Sequence, residues 1–203
     1  MMRVIAGEFR GRRITAPEGL DTRPTADRVK ESMMSALVSA TGGFEGTCVL
    51  DAFAGSGALG IECLSRGADL AVFFDSSRDA CAAVEANLKS MGIDAGRGRL
   101  VTCDVLKRPP VSPCRPFDVV LLDPPYAMPA AEVFDLVRRL AAARALTADA
   151  VVCYEHGASL DFDAEAASAG LAVDVRSRKR MRDVAYDIFT LRDGAASKKG
   201  GLT

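Results

Sequence analysis

Short, nearly uninterrupted apolar runs alternate with amphipathic segments through the middle of this chain. The predicted strands of this region cover residues 48–50, 70–74, 99–103, 117–122 and 151–154. The segment over 131–142 is typical of the helices between them, with Val133, Val137 and Leu140 aligned on one face. Strands that are apolar on both faces belong to parallel sheets covered by helices on each side. The alternation therefore predicts an α/β fold.

Weaker patterns occupy the two ends of the chain. Short extended segments on either side of Gly11 predict a small hairpin, and segments 171–175 and 184–191 predict a final antiparallel pair of strands. We therefore expect a mostly parallel seven-stranded sheet with an antiparallel C-terminal pair and an N-terminal β-hairpin extension. The expected organisation is a basic arm over residues 1–30, one domain over 31–192 and a disordered tail over 193–203.

Composition narrows the class of protein. A chain of 203 residues with 49% hydrophobic residues suits one domain with one sizeable core. It contains no apolar stretch long enough to cross a bilayer and starts without a signal peptide, so we expect a soluble, cytoplasmic protein. The six cysteines are scattered and His156 is the single histidine, which argues against a metal site and a Ser-His triad.

Charge is unevenly distributed although the net charge is only −1. Residues 1–30 carry seven basic side chains against four acidic ones, and the segment 176–182 carries five basic residues in seven positions. Basic ends on a neutral body suit a localised contact with phosphates rather than indiscriminate coating of nucleic acid. For the second segment alone, a solvated face is the plainer interpretation.

A glycine-rich segment follows the first predicted strand. Gly55, Gly57 and Gly60 form the pattern G-x-G-x-x-G, which also occurs in dinucleotide sites. In those sites the first glycine follows the strand directly, whereas here Asp51 and three further residues intervene. A carboxylate there would repel a pyrophosphate but would suit a cationic sulfonium and an ammonium group. The pattern favours S-adenosylmethionine, held by Asp51, Phe53, Gly55 and Gly57, over a turn that binds no ligand.

Aspartates also end the second and third predicted strands. Asp75 can accept both hydroxyls of a ribose, which NAD and S-adenosylmethionine share. Asp104 could take the amino group of an adenine, although an aspartate at a strand end is as often a turn former. These two residues indicate a nucleoside cofactor but do not distinguish NAD from S-adenosylmethionine.

The tetrapeptide Asp123-Pro124-Pro125-Tyr126 ends the fourth predicted strand and is the most specific motif in the chain. An amino group on an aromatic base is a poor nucleophile because its lone pair is delocalised into the ring. The Asp123 carboxylate and the Pro124 carbonyl can each accept one N–H of such an amine, and the prolines fix these acceptors in place. Tyr126 can stack on the base. The motif predicts methylation of an exocyclic amino group of a nucleic-acid base.

Taken together, these segments resemble the bacterial 16S rRNA guanine-N2 methyltransferase family. The similarity covers nearly the whole chain and is carried by residues 3–12, 23–31, 51–60, 123–126 and 184–186. The segment 23–31, RPTADRVKE, is the part most specific to this family.

The resemblance implies a Rossmann-like S-adenosylmethionine-dependent methyltransferase fold whose N-terminal extension helps to hold RNA. It implies action on 16S rRNA in an assembling small subunit, by a protein that we expect to be a monomer. Cofactor-binding residues would be Asp51, Gly55, Gly57 and Asp75, and Asp123 and Tyr126 would hold the target base. We add four arginines of the basic arm as candidate RNA contacts: Arg10, Arg12, Arg23 and Arg28.

Three other classes of protein remain open. A DNA adenine-N6 or cytosine-N4 amino-methyltransferase would use the same tetrapeptide, but would normally need more chain for a target-recognition domain. An NAD-dependent oxidoreductase is a second alternative, against which Asp51 and Asp123 count. A non-catalytic RNA-binding module is the third, and it would be favoured if Asp123 proved dispensable.

Overall fold

The computed structural model describes residues 2–17 and 24–192, with the side chains of the second segment described from residue 29 onward. The helices are α1 Pro24–Thr41, α2 Ala58–Ser65, α3 Arg78–Met91, α4 Ala130–Ala142 and α5 Phe162–Ser168. The strands are β1 Cys48–Asp51, β2 Leu70–Asp75, β3 Gly98–Thr102, β4 Phe117–Leu122, β5 Leu146–Gly157, β6 Val173–Met181 and β7 Val184–Leu191.

The strands form one seven-stranded sheet in the order β3-β2-β1-β4-β5-β7-β6. Strands β1 to β5 are parallel to one another, and β7 is antiparallel to both β5 and β6. The predicted mostly parallel sheet with its antiparallel C-terminal pair is confirmed. The chain moves outward from β1 to β3 and then crosses back to β4. Ligands bind at such a switch point, so the loops after β1 and β4 form the expected site.

Helices cover both faces of the sheet, as the apolar strands predict. Successive strand residues point to opposite faces, so Val49 and Val119 belong to one core cluster and Leu50 and Val120 to the other. The first cluster contains apolar side chains of α1, α2 and α3, and the second contains those of α4 and α5. Five of the six cysteines are buried, and Cys114 is exposed.

The N-terminal hairpin is present, and it is tightly packed. Arg3 and Arg13 form an antiparallel bridge, and the Val4 and Gly11 amides donate to carbonyls across the hairpin at 3.0 and 2.9 Å. Val4 and Phe9 are buried in the cluster under α1 to α3. The hairpin is therefore part of the domain core. The expected boundary at residue 30 falls inside α1, and the tail 193–203 lies outside the described residues.

The structure differs from the predicted elements mainly in the C-terminal third. Strand β5 is longer than predicted, α5 is an additional helix, and β6 includes most of the basic run 176–182. An edge strand has one open side and tolerates charged residues, so the charges of this run do not exclude it from the sheet. Within the described residues, no helix has both the length and the apolar character needed to cross a membrane.

Candidate functional site

The glycine-rich loop after β1 turns sharply into α2 at the switch point. Gly55 and Gly57 adopt positive φ angles of 54° and 77°, which glycine reaches without strain. A Cβ on Gly55 would have no atom within 4 Å, so this part of the loop faces open space. Gly60 serves packing instead, because a Cβ there would lie 2.3 Å from the Phe73 ring. The first two glycines shape the turn, and the third lets α2 approach β2.

Asp51 lies directly beneath this turn. The residue is only 1% exposed, and its Oδ2 accepts a hydrogen bond from the Gly60 amide at 2.9 Å. Burial raises the pKa of Asp51 to about 7, the Gly60 hydrogen bond opposes that rise, and the negative charge of Asp75 adds to it. The turn therefore covers a carboxyl group that can be neutral or charged near neutral pH.

Asp75 ends β2 beside the same turn. Its Oδ2 accepts from the Gly55 amide at 2.8 Å and its Oδ1 accepts from the Ser77 amide at 2.8 Å. Each carboxylate oxygen has a second acceptor position, so Asp75 can hold the loop and still accept hydroxyls of a ribose. Half-buried Phe53 packs against the core cluster under α4 and α5.

Asp104 has the geometry of a turn former. Its Oδ1 accepts from the Leu106 amide at 3.0 Å, and its Oδ2 lies 3.4 Å from the Lys107 ammonium group. It follows β3, which is on the far side of β2 from the switch point. Asp104 therefore stabilises the turn after β3, a structural role that does not depend on a ligand.

The tetrapeptide 123–126 follows β4 immediately, with Pro124 buried and Tyr126 61% exposed. The Tyr126 hydroxyl donates to Oε1 of Glu155 at 3.2 Å. The Asp123 side chain is open to solvent, although protein atoms crowd its other sides. This limited hydration raises the pKa of Asp123 well above its usual range, and the charges of Glu155 and Asp51 raise it further.

A cleft of about 280 Å³ lies between this tetrapeptide, the end of β5 and the loop before α5. That volume is just below the roughly 300–1,000 Å³ typical of small-molecule sites, so it suits a small group such as a single base. Residues of its wall include Pro124, Tyr126, Tyr154, Glu155, Gly157 and Leu160.

Glu155 is a site residue that the sequence analysis missed. It is half-buried near the end of β5, where it contacts Tyr126 across the cleft. Burial raises the pKa of Glu155, whereas the Tyr126 hydrogen bond and His156 lower it. The signal that could have identified it is its position: it directly follows the apolar run 151–154, as Asp51, Asp75 and Asp123 follow theirs.

A polar network that is buried at His156 and Asp187 and reaches the surface at Arg178 and Asp163 adjoins the cleft wall. His156 Nε2 and Asp187 Oδ2 are 2.8 Å apart, and Arg178 Nε donates to the other oxygen of Asp187. Both terminal nitrogens of Arg178 donate to Asp163 at 2.9 Å. Arg178, in the centre of the basic run, is therefore engaged within the protein. In the part of the chain that the structure describes, no group of three or more His, Cys, Asp or Glu side chains could hold a metal ion.

The N-terminal hairpin is bound to α2 through buried polar side chains. Glu62, 0% exposed, accepts from the Ile5 and Ala6 amides at 2.8 and 3.0 Å. Ser65 Oγ accepts from the Phe9 amide at 2.9 Å. Glu62 lies in α2, which starts at the glycine turn, so removal of the hairpin would disturb that turn as well.

Asn87 links the arm to the glycine turn itself. Its amide nitrogen donates to the Thr15 and Ser56 carbonyls, each at 2.9 Å. Arg10 and Arg12 are exposed on the hairpin, and Arg12 also donates to the Ser90 carbonyl. Arg23 and the side chain of Arg28 lie outside the described residues.

This sheet order, with a glycine turn after β1 and an Asp-Pro-Pro-Tyr loop after β4 at the switch point, defines a Rossmann-like methyltransferase. The comparison with solved structures agrees. A protein from Escherichia coli described as a candidate methyltransferase aligns with a TM-score of 0.74 and 28% identity, over 94% of this chain and 97% of that one.

The chain belongs to the family described as Conserved hypothetical protein 95, whose model matches residues 2–180. It is 37% identical over 134 residues to Ribosomal RNA small subunit methyltransferase D of Haemophilus influenzae, covering 64% of this chain and 67% of that protein. It is 47% identical over 90 residues to a Bacillus subtilis protein described as a candidate rRNA methyltransferase, covering 44% of this chain.

The matched segments span about half of the Bacillus relative, 47%, and about two thirds of the Haemophilus relative. The resemblance to a family of small-subunit rRNA methyltransferases that the motifs predict is confirmed.

Proposed function

We propose that this protein is an S-adenosylmethionine-dependent methyltransferase that modifies the exocyclic N2 amine of a guanine in small-subunit ribosomal RNA. The observation that carries the proposal is the position of Asp123, next to the switch point and beside the cleft that Tyr126 lines. The names of the relatives support ribosomal RNA of the small subunit as the substrate.

The residues around the glycine turn fit such a cofactor, which when bound supplies a methyl group on a positively charged sulfonium sulfur. Gly55 faces open space, so the backbone of the turn can approach a ligand closely. Asp75 has acceptor positions left for ribose hydroxyls, and half-buried Phe53 and Asp104 extend this edge of the site. A positive charge near the turn favours the ionised form of Asp51, because the attraction between the two charges offsets the free-energy cost of burying the carboxylate.

The Asp-Pro-Pro-Tyr loop prepares the amine to react. The Asp123 carboxylate accepts one N–H of the guanine amine and the Pro124 carbonyl accepts the other, while the Tyr126 ring stacks on the base. The nitrogen becomes positively charged as its new bond to carbon forms, and Asp123 stabilises that charge. Because its pKa is raised, Asp123 is also a better proton acceptor than an ordinary aspartate.

The arm provides the contact with RNA in this proposal. Arg10 and Arg12 are exposed on a hairpin that is fixed beside the glycine turn, where they can meet phosphates near the target base. We propose Arg23 and Arg28 as further contacts on the same grounds of charge. We propose a monomer that acts in the cytoplasm on a partly assembled small subunit. Native mass spectrometry of the protein with subunit precursors tests the assembly and the stoichiometry.

The test of the mechanism is the Asp123 series. Asp123→Ala should slow single-turnover methylation of undermethylated small subunits by at least about a hundredfold, the scale for losing one preorganised electrostatic partner. Asp123→Asn keeps an acceptor oxygen without the charge and should fall between the wild type and alanine. Cofactor affinity, measured by calorimetry, should change little in both variants.

Asp149→Ala is the matched control, since Asp149 is an exposed aspartate near the amino end of β5. Mass spectrometry of the RNA product then identifies the modified atom. Methylation by Asp123→Ala at the wild-type rate would contradict the mechanism, and a methyl group on an atom other than N2 would contradict the assigned product.

A further inference from the structure

Glu155 has no role in the methyl transfer described above, yet its side chain lies in the wall of the cleft beside the Asp-Pro-Pro-Tyr loop. It lines the cleft together with Pro124 and Tyr126. Its Oε1 accepts the hydrogen bond from the Tyr126 hydroxyl at 3.2 Å, which fixes the carboxyl group on the side of the cleft that faces the Asp-Pro-Pro-Tyr loop.

The negative charges of Asp123 and Glu155 act on each other unfavourably in the free protein. The charge of Glu155 is among the causes that raise the pKa of Asp123, and Glu155 is itself half-buried. A buried charge is tolerated when hydrogen-bond donors surround it. The Tyr126 hydroxyl supplies one such donor, and a carboxylate can accept several. The pair is thus suited to a ligand that brings more than one donor.

The edges of the nucleobases differ in this respect. Guanine presents three donors on adjacent atoms, namely N1–H and the two hydrogens of the N2 amine. Adenine and cytosine present an amine beside an unprotonated ring nitrogen, which is an acceptor and would be repelled by a carboxylate. Bases held outside a helix are commonly read on this edge.

We propose that Glu155 selects guanine by accepting the N1–H hydrogen bond while Asp123 and the Pro124 carbonyl hold the adjacent N2 amine. This inference rests on the proposed function and extends it from the reaction to the choice of base. Two acceptors in the cleft wall, Glu155 and the Pro124 carbonyl, together with Asp123 directly beside it, then match the three donors of guanine. Tyr126 contributes through its ring and also through its hydroxyl, which orients the Glu155 carboxylate.

The test compares guanine with 2,6-diaminopurine at the target position of small-subunit RNA. Diaminopurine keeps the amine at position 2 but has an unprotonated N1. The wild type should methylate guanine at least about a hundredfold faster, since sites built around a hydrogen bond strongly reject analogues that lack it. Glu155→Gln should reduce that ratio to less than about tenfold, because a glutamine amide can donate to the unprotonated N1.

Glu165→Gln is the matched control, because Glu165 lines the same cleft and the substitution is identical. It should keep the wild-type ratio. Tyr126→Phe is a second variant that leaves Glu155 in place, and it should lower the ratio in the same direction by removing the orienting hydroxyl. The ratio is informative because damage to folding would slow both substrates together.

The outcomes separate this inference from the proposed function. If the wild type methylates guanine at N2 and both Glu155→Gln and Tyr126→Phe keep the full preference over diaminopurine, the selection role of Glu155 is wrong and the proposed function stands. If the wild type does not methylate guanine at all, the proposed function itself fails.

Discussion

Replacing Asp51 with asparagine should stabilise the protein at neutral pH while weakening the cofactor site. The substitution keeps the size of the side chain and retains an oxygen that can accept the Gly60 amide, whose hydrogen bond to Asp51 measures 2.9 Å. It removes the ability to ionise. Any effect that depends on pH therefore reports the charge of the buried carboxyl group.

The size of the effect follows from the pKa of Asp51, which burial raises from 3.8 to about 7. Between those values the unfolded chain has already lost the proton that the folded protein retains. The free energy of unfolding of the wild type therefore falls as pH rises from about 4 to about 7, and this contribution is constant above that range. A pKa shift of this size lowers the free energy of unfolding by about 4 kcal/mol. This figure is an upper limit, because groups in unfolded chains are not fully hydrated either.

Urea unfolding followed by circular dichroism at pH values from 4 to 8 measures this directly. The two proteins should have similar stability near pH 4, and Asp51→Asn should become the more stable one as pH rises. Asp149→Asn, an exposed aspartate on β5, should follow the wild type throughout. Equal stability of wild type and Asp51→Asn at pH 8 would show that Asp51 pays no penalty for burial and would refute the reasoning.

Asp51→Asn, which should stabilise the fold, should weaken the binding of S-adenosylmethionine. A cationic ligand over the turn favours the ionised carboxylate, so wild-type affinity for S-adenosylmethionine should increase as pH rises toward 7. In Asp51→Asn the affinity should be weaker, and that part of its pH dependence should be lost. Stability sacrificed at a ligand site is a common trade-off.

Three further predictions concern the arm and the cofactor loop. Gly7→Ala should unfold at a much lower temperature than the wild type, because its Cβ would lie 1.7 Å from the Ser65 carbonyl oxygen. Gly11→Ala has a similar positive φ but open space, so it should cost only about 1–2 kcal/mol, and equal melting temperatures would contradict this contrast. Glu62→Ala should cost about 3–5 kcal/mol in urea unfolding because it leaves buried partners unpaired; a loss below that range would mean that the hairpin is held by other contacts. Asp75→Ala should weaken cofactor affinity by about 1–3 kcal/mol in calorimetry, and unchanged affinity would remove Asp75 from the site.

Much of the fold could be read from local patterns. The bounds predicted for 117–122 and 184–191 are those of β4 and β7, since a buried strand is a short apolar run whatever lies beside it. The four chemically specific residues of the Asp-Pro-Pro-Tyr loop are contiguous, so their motif was visible as well. The strand predicted over 171–175 ends earlier than β6, because the charged residues after position 175 lack the apolar pattern of a strand. Only their pairing with β7 defines that part of β6.

The sequence by itself determined the alternation of strands and helices, the glycine turn and the loop that follows β4, because each depends on neighbours within a few residues. Only the tertiary structure decided that Glu155 meets Tyr126, that Glu62 holds the hairpin and that Asp51 is sealed beneath the turn. Those contacts join residues far apart in the chain, and burial, which sets the pKa of Asp51, is created by all the elements that pack around it. No local pattern contains that information, because it arises only when the helices pack on the sheet and water is excluded.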